Sequence, residues 1–355
     1  MSIWNWSDRY TPKVAEKFQL TLGEGQTPCL RSKRIGPALG FENLYFKLET
    51  FNPSGSYKDR FAALAISQMN QRGQQTCLAT SSGNTGAALA AYCAAAGIRC
   101  RIAVVETAPL AKLQQMLAYG AEIQKVKRFG LDARVTQQVF QRLRDQAAKP
   151  GCELQISAYR WSPFGMQGVE SIAYELDERF AGTSIDHVFC PAGGGGLTLA
   201  VARGFTKAGR KTAVHCVQPQ GNDTIASPLR EGKTHAVDVN CETTISGLQV
   251  PNVIDGDPVI SACRQSGGTG YTVSDDDVFR IQQQLMYQEG LFCEPAGAVA
   301  LAGAICSLKV GEVAPRSTVV CLVTGSAFKD AASVERIIRD HECALVDLDA
   351  LFVEN

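Results

Sequence analysis

Three short stretches of this sequence combine residue types that could do chemistry. In Asn52-Pro53-Ser54-Gly55-Ser56-Tyr57-Lys58-Asp59-Arg60, a turn-forming run leads into a helical pattern with a lysine in its first turn. A cation there opposes the positive end of the helix dipole. That lowers the proton affinity of the amine and favours the free base, the form that makes Schiff bases. An exposed lysine balanced by Asp59 is the alternative this segment alone leaves open.

The second stretch is Thr80-Ser81-Ser82-Gly83-Asn84-Thr85-Gly86, which follows a strand pattern and opens a helix. Small hydroxyls, an amide and backbone N–H groups at a helix N-terminus suit an anion such as a carboxylate. A single N-cap would account for one of these residues, not for the run. The third is Pro191-Ala192-Gly193-Gly194-Gly195-Gly196-Leu197, again between a strand and a helix. Consecutive glycines each cost roughly 0.5–1 kcal/mol against alanine in regular structure. Bare N–H groups at a helix dipole suit a phosphate. The dinucleotide fingerprint fails, because a third glycine would have to stand at Thr198. A nucleotide P-loop fails too, its nearest approach being Ser227-Pro228-Leu229-Arg230-Glu231-Gly232-Lys233-Thr234.

The elements that must position these turns alternate along the chain. Strand patterns fall at 44–48, 76–80, 99–105, 121–126, 187–190, 213–217 and 318–323. Helix patterns fall at 59–71, 85–96, 110–119, 132–148, 168–179, 197–207, 274–289 and 296–308. Such alternation means an α/β fold with open, mostly parallel sheets and helices on both faces. In sheets of that kind, ligands sit in the turns beyond the carboxyl ends of the strands. All three stretches lie in such turns.

Composition narrows the class. The 355 residues carry 35 Lys+Arg against 35 Asp+Glu, a net charge of zero. That lacks the basic excess that a nucleic-acid surface requires. No apolar run reaches the roughly 18–20 residues needed to span a bilayer. The start, Met1-Ser2-Ile3-Trp4-Asn5-Trp6-Ser7-Asp8-Arg9, has no secretory pattern, so a cytoplasmic protein without membrane or nucleic-acid partners is expected. Thirteen cysteines are scattered without a C-x-x-C pair, and the four histidines show no ligand spacing. Buried free thiols and no metal are expected.

Taken together, the motifs resemble the fold type II pyridoxal-phosphate enzymes, and among these the threonine synthases most closely. The lysine segment, the Ser81-Ser82-Gly83-Asn84-Thr85 loop and the glycine loop match in order. So do Gly23-Glu24-Gly25-Gln26-Thr27-Pro28, Glu294-Pro295-Ala296-Gly297-Ala298 and Thr324-Gly325-Ser326-Ala327-Phe328-Lys329-Asp330. The resemblance implies pyridoxal 5'-phosphate as cofactor, held by Lys58 as a Schiff base, with Lys58 also shuttling protons. Asn84 would bond the ring 3-oxygen, and Gly193, Gly194, Gly195 and Gly196 the phosphate. Thr324 would face the pyridine nitrogen, where a hydroxyl leaves the ring a weaker electron sink and favours elimination and replacement. Ser81, Ser82, Gly83 and Thr85 would take the substrate carboxylate. Ser157 and Arg160, in Ser157-Ala158-Tyr159-Arg160, resemble the pair that grips a substrate phosphate, a task suited to the planar guanidinium fork.

The implied architecture is a smaller α/β domain over 61–157 and a larger one from 1–60 and 158–355, with the active site in the cleft between them. The implied reaction converts O-phosphohomoserine and water to threonine and phosphate, in a homodimer acting on a small, phosphorylated amino acid. Gly194 and Leu197 look more like serine/threonine ammonia-lyases. That reaction, β-replacement on O-phosphoserine, and a catalytically silent cofactor-binding protein are the alternatives.

Overall fold

The structure, a computed structural model, describes residues 2–341, 343–348 and 351. Its elements in chain order begin with β1 (Cys29–Arg31), α1 (Ile35–Leu39), β2 (Asn43–Leu48), α2 (Lys58–Gln71), β3 (Thr76–Thr80), α3 (Asn84–Ala96) and β4 (Arg99–Val105). Then come α4 (Leu110–Ala118), β5 (Glu122–Val126), α5 (Ala133–Ala147), β6 (Cys152–Leu154), α6 (Pro163–Arg179), β7 (His187–Pro191) and α7 (Gly196–Lys207). The remainder is β8 (Ala213–Pro219), α8 (Ala226–Arg230), α9 (Gly256–Ser266), β9 (Gly270–Val273), α10 (Asp275–Glu289), α11 (Pro295–Lys309), β10 (Thr318–Val323) and α12 (Ala331–Ile338).

The strands form two sheets. A six-stranded sheet runs β1-β2-β10-β7-β8-β9 and a four-stranded sheet runs β5-β4-β3-β6. Among the strands of the described residues, only the β1–β2 pairing is antiparallel. The middle strand β10, Thr-Val-Val-Cys-Leu-Val, is apolar beyond its first residue and buried on both faces, as an interior parallel strand must be. In β4 the burial alternates, and its outward Arg99 and Arg101 pair with Glu122 on β5.

Helix α2 is buried along most of its length and packs on both α3 and α6, while α6 packs on α7. One continuous cluster of buried apolar residues therefore runs from Ala79 and Ile102 in the four-stranded sheet through Phe61, Leu64 and Ile66 to Val188 and Leu322. Helix α11, apolar all round with proline at its first position, is buried against the other face of the six-stranded sheet, with α10 outside it.

Parallel pairing has one consequence that matters most for function. The carboxyl ends of β2, β10 and β7 lie side by side, and they deliver the lysine segment, Thr324 and the glycine loop to one edge. Strand β3 delivers the 81–85 loop, and β6 leads into 157–160. This is an α/β fold with mostly parallel sheets, as the alternation of patterns predicts.

Candidate active site

Beneath the site lies a buried ionic floor. The side chain of Arg60 is fully buried, donating through Nε and Nη2 to Glu49 (2.7 and 2.8 Å). It also reaches Glu175, and Ser171 at 2.8 Å. Lys47 donates to Glu175 and to the Thr27 carbonyl (2.6 Å). Burial alone would push the Glu175 carboxyl up, but Arg60 and Lys47 hold it down to about 2. Asn52 donates to Glu49 (2.8 Å) and accepts from the Gly25 N–H (3.0 Å). The segment before the lysine thus rests on matched charges. Asp59 accepts from the Ser54 N–H (3.1 Å) and hydroxyl (2.9 Å), which closes the Pro-Ser-Gly turn.

Above this floor the matching stops. Lys58 opens α2, and burial lowers its amine to about 8, against the pull of Asp255 and Glu294. Nζ donates to Ser157 Oγ at 2.5 Å, and Ser157 Oγ also lies 2.9 Å from Thr85 Oγ1. Lys58, Ser157 and Thr85 therefore meet, though they come from three separate segments.

The 81–85 loop is half-buried, and α3 begins at Asn84 without a side-chain cap, which leaves its first N–H groups open to an anion. Ser81, Ser82 and Gly83 line the approach to that helix end. Asn84 Nδ2 donates across to Glu294 Oε1 at 2.8 Å. Tyr57 donates its N–H to the Thr324 carbonyl (3.1 Å), and Glu294 donates its own to the Gly325 carbonyl (3.0 Å). Thr324 is buried and, among the described residues, its Oγ1 has no hydrogen-bond partner.

Gly195 precedes α7 with φ +92°. A Cβ there would come within 2.7 Å of Val259 and 2.8 Å of Ile225, so glycine is required on both counts. Among the described residues, no acceptor takes the N–H groups of Gly193, Gly194, Gly195 or Gly196. Open N–H groups at a helix start, an orphaned buried hydroxyl at Thr324 and a buried lysine whose amine is lowered to about 8 together fit a phosphorylated aldehyde cofactor.

Arg160 is placed differently from its neighbours. Its backbone N–H donates to Asp255 Oδ1 (3.0 Å) and that of Tyr159 to Oδ2 (2.8 Å). The Arg160 side chain itself is exposed, its guanidinium 5.9 Å from the Trp161 ring. Asp255 is buried and donates its own N–H to the Gly194 carbonyl (3.1 Å), tying turn 157–160 to the glycine loop. Burial raises its carboxyl, opposed by the Tyr159 and Arg160 N–H groups.

Sequence reasoning assigned no role to Asp255 or Glu294. Both precede a helix start, which signals a cap, yet neither side chain caps its helix. No spacing in the chain announces the partners they take instead.

Comparison with known proteins gives the family. The family described as "Pyridoxal-phosphate dependent enzyme" matches residues 20–325. A threonine synthase of Halalkalibacterium halodurans is 30% identical over 98% of this chain and 94% of its own. Another, from Methanosarcina acetivorans, is 27% identical over 99% of this chain and 85% of its own. The solved structure of a fungal L-serine ammonia-lyase from Rhizomucor miehei superposes with a TM-score of 0.75 at 20% identity, covering 90% of this chain and 99% of that one.

Proposed function

This chain belongs to the family of pyridoxal-phosphate dependent enzymes, and from that premise we propose that it is a lyase of threonine synthase type, turning O-phosphohomoserine and water into threonine and phosphate. The observation that carries the lyase reading is the Lys58 amine, lowered to about 8 and hydrogen-bonded to Ser157. Near-complete coverage by threonine synthases at 27–30% identity supports the choice of substrate.

The cofactor, when bound, withdraws electrons from carbons next to the substrate's amino group and makes their protons removable. Lys58 is the residue that would hold it, and Gly193, Gly194, Gly195 and Gly196 would bind its phosphate. Asn84 would meet its ring oxygen and Thr324 its ring nitrogen. Toward the substrate, the N–H groups and hydroxyls of Ser81, Ser82, Gly83 and Thr85 receive the carboxylate. Lys58 Nζ, as free base, takes a proton and returns it, and Ser157 Oγ orients that amine. The Arg160 guanidinium, exposed in this structure, would turn in toward Ser157 to receive the substrate phosphate. We read the enzyme as a cytoplasmic homodimer with its site in a cleft between domains 61–157 and 1–60 plus 158–355.

A second reading has its own observation. Asp255 fills the pair of N–H groups at 159–160 that would otherwise favour an anion. That favours a neutral leaving group, hence an ammonia-lyase acting on serine or threonine. The purified protein assayed on O-phosphohomoserine, O-phosphoserine, threonine and serine decides between them. Release of phosphate with threonine from the first is expected. Arg160→Ala should lower kcat/KM for it by roughly ten- to a few-hundredfold, the worth of a charge-assisted bidentate contact. Ketoacid from serine or threonine, with Arg160→Ala harmless, would replace the synthase by the ammonia-lyase.

A further inference from the structure

Glu294 is a buried carboxylic acid that the mechanism above does not use. It stands immediately before α11, the position of a cap, yet its side chain makes no capping bond and points across to Asn84. The place has been cleared for it. A Cβ on Gly325 would lie 2.3 Å from Glu294 Oε1 and 3.2 Å from Asn84 Nδ2. Only glycine at 325 lets the carboxyl and the amide meet.

The contact joins the two sheets. Asn84 begins α3 behind the four-stranded sheet, while Glu294 is tied through its N–H to Gly325, just past β10 of the six-stranded sheet. Around the carboxyl stand Lys329, Lys112, Asp330, Lys58 and the Tyr57 phenol. The two lysines nearest by charge are engaged elsewhere: Lys329 donates to Gln115 at 2.6 Å, and Lys112 to Ser246. The direct hydrogen-bond partner of Glu294 is thus a neutral amide.

We propose that Glu294 is a positioning residue: it fixes the side-chain amide of Asn84 so that Nδ2, not Oδ1, is presented to the cofactor ring. An ionised carboxylate accepts only, so it holds the amide with Nδ2 toward itself; turning the amide over would set two acceptors face to face. One N–H of Nδ2 goes to Glu294 and the second stays free for a ring oxygen. A protonated Glu294 can donate, and then either orientation of the amide is satisfied. Burial raises the Glu294 carboxyl to about 7, so the constraint holds above that pH and relaxes below it. The proposal rests on the reading of Asn84 as the residue that meets the cofactor.

The test reads cofactor binding rather than turnover. Apparent dissociation constants for pyridoxal phosphate, with the visible absorbance of the loaded protein, are measured from pH 6 to 8.5. The set is wild type, Glu294→Gln, Glu294→Ala, Asn84→Ala and the Glu294→Ala/Asn84→Ala double variant. In the wild type, binding should weaken as pH falls through about 7, and Glu294→Gln should remove that step. Glu294→Ala should weaken binding roughly tenfold, the scale of one lost hydrogen bond to a charged group. Because Glu294 acts through Asn84, the double variant should bind no more weakly than Asn84→Ala alone. The Lys58 amine adds a pH dependence near 8 common to wild type and Glu294→Gln. Additive losses, or a change near pH 7 as large in Glu294→Gln as in the wild type, would overturn the proposal by itself. Unchanged binding in Asn84→Ala would overturn the Asn84 assignment and the proposal together.

Discussion

Lys58 and Arg60 stand two residues apart in the first turn of α2, in regions built on opposite terms. Arg60 points down into the floor, where Glu49, Glu175 and Ser171 take its guanidinium donors and Lys47 shares Glu175. Lys58 points away from that floor; its partner is a hydroxyl and, among the described residues, the Thr324 hydroxyl is unpaired and the glycine N–H groups are open. Below, the Arg60 and Lys47 cations are met by Glu49 and Glu175, and the Glu175 carboxyl is held down to about 2. Above, burial without pairing pushes the Lys58 amine down to about 8 and the Glu294 carboxyl up to about 7. Chemistry needs groups that gain and lose protons near neutrality, and an accurate backbone to hold them. One helical turn supplies both, the rigid layer carrying the labile one.

Three experiments would break or sharpen that contrast. Lys58→Ala should cost about a thousandfold or more in turnover, since the proposed base and cofactor anchor would vanish together. Its thermal midpoint without cofactor should not fall, because an amine that burial disfavours has been removed. A variant that keeps multiple turnover would place the chemistry elsewhere. Arg60→Ala should do the reverse, costing about 3–5 kcal/mol of stability by stranding Glu49 and Glu175 without their cation. Denaturant unfolding measures this, and an unchanged midpoint would show the floor to be dispensable. The smallest effect is in pH. The lowered amine is neutral above about 8 rather than above 10.5, so attachment of pyridoxal phosphate to cofactor-free protein should accelerate as pH rises through about 8. Between pH 7 and 9 the neutral fraction grows roughly tenfold. A rate that climbs steadily to pH 10 would mean that Lys58 is solvated like an ordinary surface lysine.

Much of the site is legible in the sequence because parallel sheets expose it there. Each strand pattern ends in a turn, and a turn rich in Gly, Ser, Thr or Asn is visible as such. Helices α3, α7 and α11 lie within a residue of the predicted bounds. The strands β1, β6 and β9 escape, being only three or four residues long, too short for a period to register. Direction escapes as well. The sequence names Arg160 as a cation near Ser157, but backbone bonds to Asp255, nearly a hundred residues on, accompany a side chain that faces solvent. The Asn84–Glu294 contact spans 210 residues, and the chain shows Glu294 only as part of the Glu294-Pro295-Ala296-Gly297-Ala298 motif. Long-range pairings of this kind are a property of the packed fold, with no local trace.

The order of strands also sets a timetable for synthesis. Every strand of the four-stranded sheet lies between Thr76 and Leu154, so that sheet has all its parts once less than half the chain has left the ribosome. The six-stranded sheet has its centre in β10, the last strand made, wedged between β2 and β7. Until residue 323 emerges, β2 and β7 each lack a neighbour, and their open edges must be kept from other chains. The strand that leads into Thr324 is also the one that joins the halves of the sheet. A nascent chain therefore cannot bring Thr324 beside the lysine segment before that sheet is whole.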